Sequence, residues 1–493
     1  MKRISAKISK PLCILFVITV INPVFILTIL FILLLSLPFR SLVWLLSRVF
    51  RPDLSGFVPP DQACFALGQA HNFPLNVAAC AIVEGHLDVK YFWGTVSEKV
   101  FPLRTSSGKI VYIGLKRYWT LFLGYAFWKE DGSFSVKNHV RFYDYTGALA
   151  LPLPYCDDAG MHQILGRLLR FPWRPNRSPW EMLLIPNYKG EEKTALIFRL
   201  DHVLADGYSV VELMRHIMQN HWPLPKFKLA RRQVKFLEKL GTILKIQYDI
   251  ARKAVMFYGT KKIPSLKRSG DLEVVFSVTS EIPVDAFKSL KNHFGVNYAA
   301  VVNACIFGAI QRALEKAAQV VPNKFLTSVV IPKLNHPGGL CIHAGVTFTE
   351  WPLKSTSSVQ RLLDVQKGLE DLNQSSANLI YMQAGKVTGF FPQFVSTLVF
   401  KGINASGVNI GTTVLPVTTG KSFINGMEMS ELIVGNGIVG DFDMLVTSFG
   451  VNNKQRVSFS VNKDMFGDEA IARNLGLFFM EEVETLLKAM QQK

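Results

Sequence analysis

The segment Leu200-Asp201-His202-Val203-Leu204-Ala205-Asp206-Gly207 delivers a histidine, and four residues later an aspartate and a glycine, at the end of an apolar run. An imidazole titrates near pH ~6.5 in water, so its neutral form can take a proton from a hydroxyl at physiological pH. His202 is the candidate general base. Asp206 can pair with a basic group and fix the loop that carries His202. Gly207 has no side chain to block an approaching substrate. A bland account of the same residues also exists, with His202 a loop histidine, Asp206 the N-cap of a following helix and Gly207 a turn residue.

Such a loop needs a strand before it and a helix after it. Residues 196–200 form a short apolar run that reads as a buried strand, and residues 209–218 have helical spacing. Just beyond that helix, Pro223-x-Pro225 opens a basic stretch that closes at Ser269-Gly270, which marks a boundary between two lobes. The division is 1–55 as an N-terminal membrane anchor, 56–224 as a first lobe, 225–270 as a linker and 271–493 as a second lobe. The second lobe opens with a strand at 272–276, followed by helices near 283–293 and 299–315. Strands and helices mix in both halves, which predicts an α/β architecture.

The surroundings of His202 resemble the wax ester synthase/diacylglycerol acyltransferase family, whose signature is His-His-x-x-x-Asp-Gly after a strand. Here Asp201 stands at the first histidine, and His202 matches the one the family uses as base. Upstream, Arg174-Pro175-Asn176-Arg177-Ser178-Pro179-Trp180-Glu181 is similar to a family segment ending Arg-Pro-Leu-Trp-Glu. Phe134 to Val140 is similar to its Phe-x-x-x-x-His-Val segment. Downstream, Val446-Thr447-Ser448-Phe449-Gly450 resembles a Ser-Tyr-x-Gly strand. The family's Asn-Asp pair appears as Ala299-Ala300, and its Ser-Asn-Val-Pro-Gly-Pro segment as Thr412-Thr413-Val414-Leu415-Pro416. The resemblance implies a two-lobed, chloramphenicol-acetyltransferase-like fold with His202 in a channel between lobes. It also implies acyl-CoA as co-substrate with no other cofactor, and Ser448, Thr412 and Thr413 as candidates for contacting the tetrahedral oxyanion.

The uncharged run from Leu12 to Phe39, rich in Leu, Ile, Val and Phe, is too long for the apolar core of a signal peptide and reads as a membrane segment. Asn22-Pro23 interrupts it near the middle, so both a kinked span and a re-entrant hairpin fit; basic residues on both flanks favour the hairpin. The net charge of +18 is concentrated in Lys226 to Arg268, where thirteen Lys/Arg face only Glu238 and Asp249 among interleaved apolar residues. That pattern suits anionic lipid headgroups or the phosphates of CoA. A solvated linker packed on one lobe is the alternative. High pI also raises nucleic-acid binding, but the chain has no zinc-finger spacing or RNP-like motif, and none is expected. The six cysteines, scattered and without Cys-x-x-Cys, support neither a metal site nor a disulfide framework.

Together these features point to a membrane-bound O-acyltransferase. It would move a long-chain fatty acyl group from acyl-CoA to a lipid hydroxyl, either a long-chain alcohol or diacylglycerol. The expected location is the endoplasmic reticulum membrane with the lobes facing the cytosol, or the lipid droplet. The other class of function is a catalytically silent lipid-binding or lipid-transfer protein on the same fold.

Overall fold

The computed structural model describes residues 10–66, 75–218, 236–259, 263, 273–405, 407–438 and 442–492. Two sheets carry the architecture. The first runs in the order β13-β14-β2-β7-β6-β5, with β2 at Asn76–Glu84, β5 at Val140–Phe142, β6 at Trp180–Pro186, β7 at Lys193–Asp201, β13 at Ser422–Ile424 and β14 at Met427–Asn436. The second runs β11-β10-β12-β15-β16-β8, with β8 at Val274–Val278, β10 at Lys324–Pro332, β11 at Ala344–Pro352, β12 at Ile410–Val417, β15 at Met444–Val451 and β16 at Lys454–Asn462. This is the two-lobed α/β fold expected from the sequence. The lobes are not strictly sequential, because β13 and β14 come from the second half of the chain yet extend the first sheet, β14 pairing with β2.

Strand β7 is central in its sheet, between β2 and β6, and almost every residue of Lys-Thr-Ala-Leu-Ile-Phe-Arg-Leu-Asp is buried. That explains its near-continuous apolar run. The exception is Arg199, a buried cation that needs a partner. Its Nε lies 2.8 Å from Glu181 of β6, and Glu181 also accepts from Arg141 at 2.9 Å and from the Tyr145 hydroxyl. The Arg199 guanidinium stacks over Trp173 at 3.9 Å and donates to the carbonyls of Leu168 and Phe171. Beside it, Trp180 donates to the Leu115 carbonyl, and the His139 ring stacks on Trp180 at 4.7 Å. The upstream segments that resemble the family are thus framework that braces β7.

The second lobe packs the helix Tyr298–Lys316 against its sheet. Ala300 is fully buried there, in a core that includes Val446, Val457 and Phe459. The Ala299-Ala300 departure therefore sits in a close-packed apolar helix start.

At the N-terminus, Lys10–Phe50 is a single continuous helix, long and apolar enough to cross a membrane. No reversal occurs at Asn22-Pro23. A π-helical turn at Val17–Ile21 directly precedes it and accommodates a proline that lacks an N–H to donate. The re-entrant hairpin is therefore corrected to one unbroken helix.

Removing Glu181 would leave Arg199 charged and unpaired in the core. Glu181→Ala is expected to cost about 3–5 kcal/mol in denaturant unfolding, the scale of a broken buried pair. Asp144→Ala, which removes the exposed partner of Arg141, should cost less than about 1 kcal/mol.

Candidate active site

His202 follows the last residue of β7, and the helix Gly207–Met218 begins five residues later, so the histidine occupies the strand-to-helix loop predicted for it. The loop is held by its backbone. The N–H of His202 donates to the Leu75 carbonyl at 2.7 Å, and Gln62 Nε2 donates to the carbonyls of Val203 and Leu204, both at 3.0 Å. The imidazole stacks on Phe65 with ring centroids 4.8 Å apart and planes 12° apart. Its Nδ1 is buried and has no hydrogen-bond partner among the described residues. Burial pushes the His202 pKa below its ordinary value, outweighing the nearby Asp206 charge. The ring is neutral at pH 7, as a base must be.

Asp206 does not bond to His202. Its Oδ1 caps the following helix through the Ser209 N–H at 2.8 Å, and its Oδ2 accepts the His343 N–H at 2.6 Å. Its backbone N–H donates to the Cys341 carbonyl at 2.9 Å. His336 Nε2 lies 3.3 Å from Oδ1. One carboxylate thus clasps the motif loop to residues 336–343 of the second lobe. Burial alone would raise the Asp206 pKa, but the bonds from His336, Ser209 and His343 hold it low. Burial also lowers the His336 pKa, and the hydrogen bond to Asp206 more than offsets this. The Gly338 N–H lies 3.1 Å from the His336 Nδ1. The helix-cap account and the ionic-holder account of Asp206 therefore coexist.

Asp201 is buried and points away from this clasp. It accepts the Val203 N–H at 2.9 Å and a long 3.5 Å contact from Trp119 Nε1, and burial pushes it up to about 6. Gly207 lines an apolar cavity of about 60 Å³ between the lobes, with Phe198 and Met214 on one side and Leu415 and Phe449 on the other. A Cβ at Gly207 would meet Leu415 at 3.4 Å and intrude on that space.

The three hydroxyl candidates separate by sheet face, because side chains alternate along a strand. Ser448 is fully buried and bonded to Gln455, which in turn accepts from Tyr298; Val446, two residues away, packs on the same helix-covered side. Thr412 pairs with Val446 and shares that side, away from the first lobe. Thr413 pairs with Thr447, and Leu415 and Phe449, which share their face, line the interlobe cavity. Of the thirteen basic residues between Lys226 and Arg268, those at 226–235 and 261–268 lie outside the described residues. Lys253 is buried, donating to Thr347, Phe348 and Asn378, and burial lowers its pKa to about 8. It faces the protein interior and not a lipid headgroup or phosphate.

Sequence reasoning did not single out Phe65 or Gln62, since neither lies in a recognisable motif. His336 and His343 are among the histidines that could approach the site, but the 130-residue separation leaves no spacing signal that pairs His336 with Asp206.

Residues 61–238 match the family model described as the wax ester synthase/diacylglycerol acyltransferase catalytic domain, the family to which the motifs pointed. Among solved structures, the fold is similar to the wax ester synthase/diacylglycerol acyltransferase from Marinobacter aquaeolei VT8, with a TM-score of 0.59 and 16% identity over 88% of this chain and 100% of that one. It is also similar to the TRI3 trichothecene 15-O-acetyltransferase from Fusarium sporotrichioides, with a TM-score of 0.58 and 8% identity over 87% and 95%. A third is the first condensation domain of the CDA synthetase, with a TM-score of 0.54 and 13% identity over 87% and 95%. At these identities the likeness is one of fold. No curated protein matches the sequence.

Two predictions follow from the loop's electrostatics. Asp201 titrates higher in the folded protein, about 6, than near ~3.9 when unfolded. The folded state therefore binds the extra proton, and stability falls as pH rises between those values. The melting temperature of Asp201→Asn minus that of wild type should grow from pH 4 to pH 7; a flat difference would contradict the raised pKa. Asp206→Ala should lower both stability and turnover, stability by about 1–3 kcal/mol for its stranded buried donors. Unchanged melting and rate would make Asp206 a bystander.

Proposed function

We propose that this chain, matched over residues 61–238 to a wax ester synthase/diacylglycerol acyltransferase catalytic domain, is a membrane-bound O-acyltransferase. It transfers a long-chain fatty acyl group from acyl-CoA to a lipid hydroxyl, either a long-chain alcohol, giving a wax ester, or diacylglycerol, giving triacylglycerol. The observation that carries the reading is His202, a neutral imidazole in a backbone-clamped loop, with Nδ1 lacking a partner among the described residues.

In the proposed reaction, His202 takes the acceptor hydroxyl proton as the oxygen attacks the thioester carbonyl. The C–O bond forms, the C–S bond then breaks, and the proton passes from His202 to the departing CoA thiolate. No covalent enzyme intermediate is required. Phe65 and the Gln62 bonds orient the base, and Asp206 holds the loop against the second lobe without touching the ring. Thr413, on the sheet face turned to the first lobe, is the hydroxyl assigned to the oxyanion, where a donor must reach about 2.7–3.1 Å.

The test offers labelled long-chain acyl-CoA with a fatty alcohol and with diacylglycerol to membrane fractions. His202→Ala should melt normally and lose about 10²-fold or more of the rate, and the product ratio in wild type names the acceptor. A folded His202→Ala variant with wild-type turnover would remove His202 as base. Wild type that binds lipid but releases no CoA with either acceptor would instead mean a silent lipid-binding protein. Because the folded pKa of His202 is lowered from ~6.5, the acid limb of the kcat/KM profile is expected below pH 6.5.

A further inference from the structure

The helix Lys10–Phe50 turns an unusual side to the protein. Among its buried residues are Asn22, Ser36, Val43 and Ser47, a mostly small and polar stripe, while Leu27, Phe31, Leu34 and Phe50 point outward and are exposed. This is the reverse of a helix on a water-soluble surface. The helix is also attached along its length. Asn22 Nδ2 donates to Gln247 Oε1 at 3.0 Å, in the helix Phe236–Gly259. Farther along, Val43 enters a cluster with Leu54, Tyr125 and Phe127 of a small three-stranded sheet, β1-β4-β3 (β1 Leu54–Phe57, β3 Arg117–Phe122, β4 Tyr125–Glu130).

Between Asn22 and Val43 the helix advances about 31 Å at 1.5 Å per residue, the whole thickness of a bilayer's hydrocarbon, about 30 Å. Asn22 also lies inside the uncharged run Leu12–Phe39, so a perpendicular crossing on that run would draw Gln247 and its helix into the hydrocarbon. The helix Phe236–Gly259 carries Lys245 and Arg252, both exposed, which hydrocarbon does not accommodate. An orientation along the membrane plane satisfies both constraints.

A second apolar element adjoins it. Arg40 donates to the Phe390 carbonyl at 3.2 Å and lies over the rings of Phe57, Tyr125 and Phe390. Phe390 ends the helix Asn378–Phe390, and the next helix, Gln393–Ala405, begins with the Gln393 N–H bonded to the Gly124 carbonyl at 2.7 Å. That helix exposes Phe394, Leu398 and Val399 on one side. The adjoining turn between β3 and β4 exposes Leu123 at a backbone φ of +45°. Elsewhere Asn176, Asn187, Asn335, Asn425, Asn452 and Asn453 fill most of the non-glycine positions with positive φ, as turns in water favour. A leucine there argues for an apolar surrounding.

We infer that the helix Lys10–Phe50, the Leu123 turn and the helix Gln393–Ala405 form one membrane-seated face, with the long helix lying in the bilayer plane and not across it. The occupant is bilayer hydrocarbon, because the patch is continuous with an apolar helix of 41 residues that is long enough for membrane and has only 11% of its most apolar window buried. The inference rests on the membrane-bound part of the proposed function and not on its chemistry.

The test is labelling of Leu34→Cys, Leu398→Cys and Leu477→Cys by a membrane-impermeant maleimide. The full chain is used, reconstituted in phosphatidylcholine vesicles, with each site read by peptide-resolved mass spectrometry. Leu477 is exposed on the C-terminal helix, outside the face. Leu34→Cys and Leu398→Cys should be protected in vesicles by tenfold or more relative to Leu477→Cys, and should label freely once detergent is added. Protection at Leu34→Cys with free labelling at Leu398→Cys would overturn the composite face and leave an inserted helix alone. Free labelling at both would defeat the membrane-bound reading as well. Protection at Leu398→Cys that persists in detergent would assign the face to a protein contact and overturn the inference.

Discussion

The structure of the site depends on one buried carboxylate. Asp206 collects the N–H of Ser209 from its own helix, the N–H of His343 from the other lobe and the imidazole of His336. A carboxylate out of water is tolerated only when its oxygens are satisfied, and here the donors come from both halves of the chain. The loop cannot shift without stranding donors in each lobe. That fixes His202 relative to the second sheet without any direct bond to it. The arrangement differs from a base paired to a carboxylate, in which the acid sets the tautomer and stabilises the imidazolium. Here the aromatic face of Phe65 and the backbone bonds of the loop orient the ring, while Asp206 sets the position of the whole segment.

How much of this could be read from the sequence follows from how local each feature is. The strand at 193–201 and the helix after Asp206 are written in contiguous residues, an apolar run interrupted by Arg199 and then a cap with helical spacing. Asp201 too is local, and its burial accounts for its raised pKa. The partners of Asp206 lie 130 residues or more away, and only folding brings them together. Strand β14 shows the same limit. Its pattern predicts a strand but not that it crosses to pair with β2 in the other lobe. The face on which Thr413 differs from Thr412 and Ser448 is set by which side of the sheet the helix Tyr298–Lys316 covers, a tertiary choice that alternation alone does not make. A hairpin at Asn22-Pro23 follows from proline's misfit in a regular helix interior, whereas one π-helical turn before it absorbs the mismatch and the helix continues.

The basic stretch gives a further lesson in scale. Charge counted along a sequence assigns every lysine to solvent, yet Lys253 is drawn inward by three oxygen acceptors and Asp249 by Ser376. These two charges anchor the helix Phe236–Gly259 to the second lobe. Through Gln247 the same helix receives Asn22 of the long N-terminal helix. Within the stretch expected to link the lobes, this helix is packed on the second lobe and joins it to the apolar helix.

The apolar face and the site meet at the end of the helix Asn378–Phe390. The helix Asn378–Phe390 packs against the short helix Pro60–Ala63 so closely that a Cβ on Gly389 would fall 1.9 Å from the Pro60 carbonyl oxygen. Two residues beyond that short helix, Phe65 lies on His202, and Gln393 Nε2 donates to the carbonyl of the next residue, Ala66, at 2.7 Å. The corner that bears the exposed Phe394 and Leu398 is therefore built into the wall beside His202. Any larger residue at 389 would push the Pro60 helix away, and Phe65 with it. On the membrane-seated reading and the proposed acyl transfer together, a lipid acceptor arriving from the bilayer would reach His202 past this wall.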